Sequence, residues 1–340
     1  MNETVARLQT PLCALLGCDY PVVLAGMGGV ARGELVAAVS EAGGFGFLGM
    51  VRESPALIRT EILRVRAATQ RKFGVNLVPA ATPPDLFEAE LQAVIAERVP
   101  VVTLFWDLRR DVVQRLRAAG CLVLCQVGSV DEALDAVAAG AQAVIAQGFE
   151  AGGHVRGQTA LATLIPQVVA CVDVPVLAAG GIVDGKDVAA ALALGAQGAV
   201  IGTAFLATQE SFAHDFHKRR IIAAKPGETI HTQAFHLNWP PGAWVRVLPN
   251  SVTHGAHGDP FAAGLRVIGA QGRRSIYLFS TDSPLRDMTG DFEAMALYAG
   301  VGAGRIHSIP TAADRLAGIV EEAAGIIGQS RTDRVGRQEA

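Results

Sequence analysis

Residues 147–157 read QGFEAGGHVRG and concentrate more reactive chemistry than any other stretch of the 340-residue chain. His154 is the one side chain here able to exchange a proton near neutral pH. Just before it, Gly152 and Gly153 leave a backbone with almost no bulk, free to adopt positive φ and to come close to a flat ligand. Gln147, Glu150 and Arg156 add an amide, a carboxylate and a guanidinium to the same loop. A proton-exchanging side chain beside so thin a backbone is what a catalytic site for a bound small molecule requires. The same residues also fit a tight turn with a solvated histidine, so the surrounding elements must decide.

Those elements repeat. The segments 37–49, 114–128, 135–148 and 190–202 each run from an alanine-rich helical pattern through a glycine into a short apolar run, then reach a glycine or a polar residue. Glycine after a helix takes the left-handed position, and an unbroken apolar run is what a strand buried on both faces requires. Strands are predicted near 21–25, 45–48, 73–77, 100–105, 121–126, 142–146, 175–179 and 198–202. Helical patterns lie between them at 33–43, 54–69, 84–98, 107–119, 129–139, 160–172 and 184–194. Ser54-Pro55, Pro84-Asp85, Ser129 and Asp184 supply start signals. This α/β alternation predicts a closed (β/α)₈ TIM barrel, with an open doubly wound sheet as the alternative.

In a barrel the residues at the carboxyl ends of the strands form the active rim. Here these are Ala25, Gly26 and Met27, then Gly49-Met50, Asn76, Trp106, Gln126, the 147–157 loop, Gly180-Gly181 and Gly202-Thr203. The loops after strands seven and eight, within 178–187 and 198–203, offer glycine N–H groups, a helix start and a hydroxyl where barrels commonly bind phosphate. Beyond Phe205 the repeat stops. Residues 213–304 contain Trp239 and Trp244 and many polar turns, and are expected to form a smaller lid insertion over the barrel mouth, leaving 1–212 as the barrel and 305–340 as the last barrel helix (311–327) with a tail. HDFHKRR at 214–220 is expected to be a solvated helix face.

Composition narrows the partners. A net charge of -3 without a basic run gives nucleic acid no electrostatic footprint. Although 50% of residues are hydrophobic, no run approaches the roughly 18 needed for a membrane span. The amino-terminal apolar stretch is too short for a secretory signal, which points to the cytoplasm. Cys13, Cys18, Cys121, Cys125 and Cys171 lack CxxC spacing, which argues against a disulfide framework or zinc site and for buried thiols; no metal is expected. The expected partner is a small molecule, and self-assembly is left open.

VVLAGMGGV (22–30), FGVNL (73–77), QGFEAGGHVRG, AAGGIVDG, IGTAFLAT (201–208) and GDFEAMALYAG (290–300) together give the chain its resemblance to the nitronate monooxygenase family, formerly the 2-nitropropane dioxygenases, along nearly its whole length. EAGGH followed about thirty residues later by AAGGI is the specific part. The resemblance implies an FMN-dependent barrel, with Asn76, Gln147, Gly152, Gly181, Val200, Ile201, Gly202 and Thr203 contacting FMN. It implies that Gly180, Gly181, Gly202 and Thr203 hold the phosphate and that His154 is catalytic. Many relatives have glutamine where this chain has Val200, and a tyrosine-rich substrate wall is represented only by Tyr298. The implied activity is oxidation of nitronates or nitroalkanes by O2 to carbonyl compounds and nitrite. NAD(P)H-driven reduction of an enoyl thioester or quinone is the alternative, and a non-enzymatic flavin or ligand binder is a third.

Overall fold

Eight parallel strands form a closed barrel in the order in which the chain makes them. A computed structural model describes residues 8–262 and 264–338; the first seven residues of the stretch read for a leader, and the last two of the tail, lie outside the described residues. The barrel strands are β1 (Val22–Leu24), β2 (Phe45–Gly49), β3 (Gly74–Leu77), β4 (Val101–Phe105), β5 (Leu122–Val127) and β6 (Ala143–Gln147). After β7 (Gly153–Val155), which stands outside the barrel, come β8 (Val176–Ala179) and β9 (Gly198–Ile201). β9 pairs with β1 through Val22↔Ala199 and Leu24↔Ile201, so the closed barrel holds and the open sheet does not.

Three of the four predicted start signals act as capping groups, while Pro84-Asp85 opens its helix without a side-chain cap. Ser54 Oγ accepts from Leu57 N, Ser129 Oγ from Glu132 N and Asp184 Oδ1 from Asp187 N, each satisfying an otherwise orphaned helix donor. The helices are α1 (Pro11–Leu16), α2 (Gly33–Glu41), α3 (Pro55–Ala68), α4 (Pro84–Ala96), α5 (Arg110–Ala118), α6 (Val130–Ala139), α7 (Leu161–Val169), α8 (Gly185–Ala193), α9 (Thr203–Leu206), α10 (Asp215–Ile222) and α11 (Ala312–Gln338). α11 packs against α8 and α2, filling the outer ring where the repeat had stopped.

Alternation along the strands divides the core. Val23, Phe45, Phe47, Leu124, Ile145, Leu177 and Val200 cluster inside the barrel, while Val22, Leu24, Val75, Val102, Val123, Val144 and Ile201 cluster under the helices. Each such fully buried Val or Leu contributes about 1.5–3 kcal/mol. Leu12 and Leu16 of α1 join the inner cluster and close it at one end, an element absent from the sequence reading. Gly74 makes room for Phe47: a Cβ there would lie 2.3 Å from the ring.

The 147–157 segment is not simply a loop. Its residues Gly153–Val155 form β7, which pairs antiparallel with β11 (Trp244–Val247), His154 standing opposite Val245; β10 (Ile230–Thr232) lies on the other side of β11. A second small sheet joins β12 (Val267–Gln271), β13 (Arg274–Tyr277) and β14 (Met288–Gly290). Of the predicted buried thiols, Cys171 is instead exposed. Within the charged 214–220 stretch, His217 and Lys218 are buried rather than solvated, because α10 turns that face inward. Among the described residues no helix is long and apolar enough to cross a membrane.

Candidate active site

A cavity of about 490 Å³ opens at the carboxyl ends of the strands. Ala25, Gly26, Met27, Asn76, Gln126, Gln147, Gly152, His154, Gly180, Gly181, Val200, Gly202 and Thr203 all line it. Ile201 does not: alternation that points Val200 into the barrel turns the next side chain outward beneath the helices, which leaves only its backbone for a ligand contact.

The phosphate rim is differently built from its sequence reading. The α8 start is already occupied by carboxylates, Asp184 on Asp187 N, Asp187 on Val183 N at 2.8 Å and Glu322 on Gly185 N at 2.8 Å. What remains for a ligand is the backbone at Gly180 (φ 123°) and Gly181 (φ 71°), both left-handed, with Gly202 and the Thr203 hydroxyl. That hydroxyl accepts from Gly300 N at 3.0 Å, leaving its own hydrogen to donate. A Cβ on Gly202 would meet only Met27 Sδ at 3.6 Å and Ala25 Cβ at 3.8 Å, so this glycine borders open cavity. Donors without side-chain bulk suit a terminal phosphate.

Two amides hold the loops in place. Asn76 Nδ2 donates to the Gly26 carbonyl at 3.1 Å, tying the end of β3 to the turn after β1. Gln147, only 4% exposed, donates through Nε2 to the His154 carbonyl at 2.9 Å and accepts at Oε1 from Arg156 N at 3.0 Å. The last residue of β6 therefore grips the strand that carries the histidine. Glu150 accepts from Leu161 N at 2.9 Å at the start of α7, a capping role that does not reach His154. Gly152 lies against another close approach, where a Cβ would fall 2.4 Å from Gly300 N.

His154 sits in an aromatic enclosure. Its ring stacks on Trp239 at a centroid distance of 3.4 Å and 14° between planes, with Trp106 edge-on at 6.0 Å and Tyr298 at 5.7 Å. Arg156 pairs with Glu132 at 2.6 Å and lies over the Trp106 ring at 5.1 Å, bracing that wall. Burial first, then the nearby Arg52 charge, holds the imidazole well below its ordinary value and favours the neutral ring. Its Nε2 is shielded from solvent and has no hydrogen-bond partner. Thr103 Oγ1 and Trp239 Nε1 are likewise buried and unpartnered, and both residues line the cavity. Three orphaned polar atoms around one cavity are what a site built for a polar ligand presents.

Arg52 and Trp239 are functional candidates absent from the sequence reading of the site. Arg52 donates through Nη2 to Thr281 Oγ1 at 3.2 Å and through Nη1 to the Asn238 carbonyl, and among the described residues it pairs with no carboxylate. It places a guanidinium on the cavity wall, with the carboxylates of Glu53 and Glu90 within its electrostatic reach. Arg52 (φ 59°) and Asn238 (φ 69°) line the cavity and Trp106 (φ 79°) flanks the histidine, all left-handed without being glycine. Such backbone costs of order 1–3 kcal/mol per residue and collects where function fixes it. The one sequence signal for Trp239 was its setting, a large ring inside the polar turn Asn238-Trp239-Pro240-Pro241-Gly242.

Comparison with known proteins gives the family. The family model described as nitronate monooxygenase matches residues 9–322. A Mycobacterium tuberculosis (3aS,4S,5R,7aS)-5-hydroxy-7a-methyl-1-oxo-octahydro-1H-indene-4-carboxyl-CoA dehydrogenase is 38% identical over 274 residues, 79% of this chain and 75% of that protein. Among solved structures, FabK from Thermotoga maritima superposes with a TM-score of 0.81 at 31% identity, covering 96% of this chain and 99% of that one. The nitroalkane oxidase of Streptomyces ansochromogenes gives 0.74 at 33% identity, covering 95% and 99%. With its barrel, its rim glycines and a match over most of its length, the chain belongs to the nitronate monooxygenase family of flavin-dependent oxidoreductases.

Proposed function

We propose that this enzyme is a cytoplasmic, FMN-dependent oxidase of alkyl nitronates and nitroalkanes, giving carbonyl compounds and nitrite with O2 as co-substrate. The observation that carries the reading is the buried imidazole of His154, its Nε2 unpartnered in an aromatic-walled cavity that the Arg52 guanidinium also lines. FMN, when bound, supplies the two-electron acceptor of the reaction. Gly180, Gly181, Gly202 and Thr203 would hold its phosphate, and Ala25, Gly26, Met27, Asn76, Gln126, Gln147, Gly152 and Val200 the rest. The three orphaned side-chain atoms and the bulk-free rim fit such a group.

His154 takes the α-proton of a neutral nitroalkane onto Nε2, and the released electron pair passes into the nitro group to give the nitronate. A preformed nitronate needs no such step. Arg52 favours either anion by its charge, and the rings of Trp106, Trp239 and Tyr298 exclude water around the reacting carbon. We also assign 213–304 as the lid, because β11 and Trp239 supply the cover over His154.

A second reading, oxidation or reduction beside the carbonyl of an acyl thioester, is favoured by the 38% identity to a carboxyl-CoA dehydrogenase. It would use the same base against the much less acidic C–H beside a thioester carbonyl. Anaerobic mixing of the flavin-loaded enzyme with ethylnitronate, with NADPH and with an acyl-CoA separates the two. Loss of oxidised-flavin absorbance with ethylnitronate, followed by nitrite on admitting O2, is expected. Bleaching only by NADPH or the thioester would replace the first reading by the second.

A further inference from the structure

We propose that Trp239 is a catalytic residue whose indole N–H donates a hydrogen bond to the substrate oxygen that gains charge while the neighbouring His154 removes the α-proton. This rests on the reading of the site given above. Trp239 Nε1 and His154 Nε2 are both buried, both without a partner, and both belong to residues that line the same cavity. Their rings lie 3.4 Å apart and nearly parallel. Nitrogens on rings this close can be reached by neighbouring atoms of one small group.

The chemistry of the pair is complementary. Indole nitrogen is a donor only, whereas neutral imidazole can offer a lone pair. A nitroalkane presents the matching order, an oxygen acceptor beside an acidic C–H. As the C–H bond breaks, the proton goes to Nε2 and the electron pair moves through C–N onto the nitro oxygens, where the indole N–H meets the new charge. No oxidant enters this step. If Trp239 served only as a cover, a phenylalanine would close the same space without burying an unpaired donor.

The turn that carries Trp239 is fixed from the barrel side. Arg52 donates to the carbonyl of Asn238, the residue immediately before, and both are held at left-handed φ. The main-chain N–H of Trp239 itself donates to His236 O at 3.3 Å. A donor that must meet a developing charge works best when it is placed in advance.

The test is Trp239→Phe, which keeps a ring against His154 and removes the N–H. In flavin-loaded enzyme, kcat for nitroethane should fall about 10- to 100-fold, the range for a hydrogen bond to a charged group, with little change in KM. Trp239→His, which restores a ring donor, should recover part of the loss. Wild-type activity with a variant kcat within twofold overturns the proposal alone; wild-type enzyme that oxidises neither nitroethane nor ethylnitronate overturns the underlying reading and the proposal with it. Should the variant not fold, ¹⁵N-indole NMR of the wild-type holoenzyme decides, with the signals assigned through Trp106→Phe and Trp244→Phe. Butyrate, a carboxylate with the shape of a nitronate, should move the Trp239 N–H signal downfield. No movement, whether or not butyrate binds, overturns the proposal.

Discussion

Gln147→Leu separates the support of the histidine from its chemistry. The side chain is 4% exposed and makes two backbone hydrogen bonds, to the His154 carbonyl of β7 at 2.9 Å and from Arg156 N, just after β7, at 3.0 Å. Leucine nearly fills the volume and satisfies neither. Leaving buried peptide groups unpaired costs about 1–3 kcal/mol each, and the pairing of β7 with β11 limits the total to about 2–4 kcal/mol. At this chain length roughly 1 kcal/mol corresponds to about 1.5 °C, so the melting temperature should drop by about 3–6 °C. The larger effect is on turnover. A strand released at its middle residue lets the imidazole wander by about 1 Å, which costs on the order of 10²-fold in rate. Flavin absorbance, thermal melting and kcat per bound flavin are measured on the same preparation. Unchanged melting and kcat would refute the bracing role, and loss of flavin with normal kcat per remaining flavin would leave Gln147 as a cofactor contact only.

Two further outcomes follow from individual environments. Gly181 sits at φ 71° with Glu150 Cβ and Val301 Cγ2 each 3.1 Å from any added Cβ, so Gly181→Ala should fold with a loss of about 1–2 kcal/mol, whereas Gly181→Asp should weaken flavin binding at least about tenfold further by opposing the phosphate. Fluorescence titration compares them, and equal affinities would move the phosphate elsewhere. His217 is fully buried, its Nε2 3.0 Å from the Tyr298 carbonyl oxygen, and burial lowers its pKa from 6.5 to about 4, with Arg220 also lowering it and the carbonyl opposing. Because the unfolded chain binds the proton more readily, stability is present above about pH 6.5 and is lost as pH falls, by about 3 kcal/mol at pH 4. Urea unfolding at pH 7 and pH 4 should show that loss in wild type and a smaller one in His217→Gln.

The barrel was legible because its signals are local. Glycine-closed helices and unbroken apolar runs located all eight strands, and the caps at Ser54, Ser129 and Asp184 marked real helix starts. Most of the cavity rim followed from strand order, although Gly49, Met50 and Trp106 do not line the cavity. Long-range pairing was not legible: β7 is three residues long and its partner Trp244–Val247 lies some ninety residues later, so no periodicity announced either. Trp239 reaches His154 through that pairing and through the Arg52 contact, neither of which is written in neighbouring residues. The α8 start read as a free anion site because a helix N-terminus preceded by glycines looks open; its occupants include Glu322, distant in sequence.

His154→Ala, loaded with flavin to the wild-type level and assayed side by side on nitroethane and ethylnitronate, tests the central claim most directly. The neutral substrate needs a proton acceptor and should lose on the order of 10²–10⁴ in kcat. Ethylnitronate arrives without the proton and should lose much less. Equal, undiminished turnover of both substrates would contradict the assignment of His154 as the base, and so would equal losses that disappear once flavin content is corrected for.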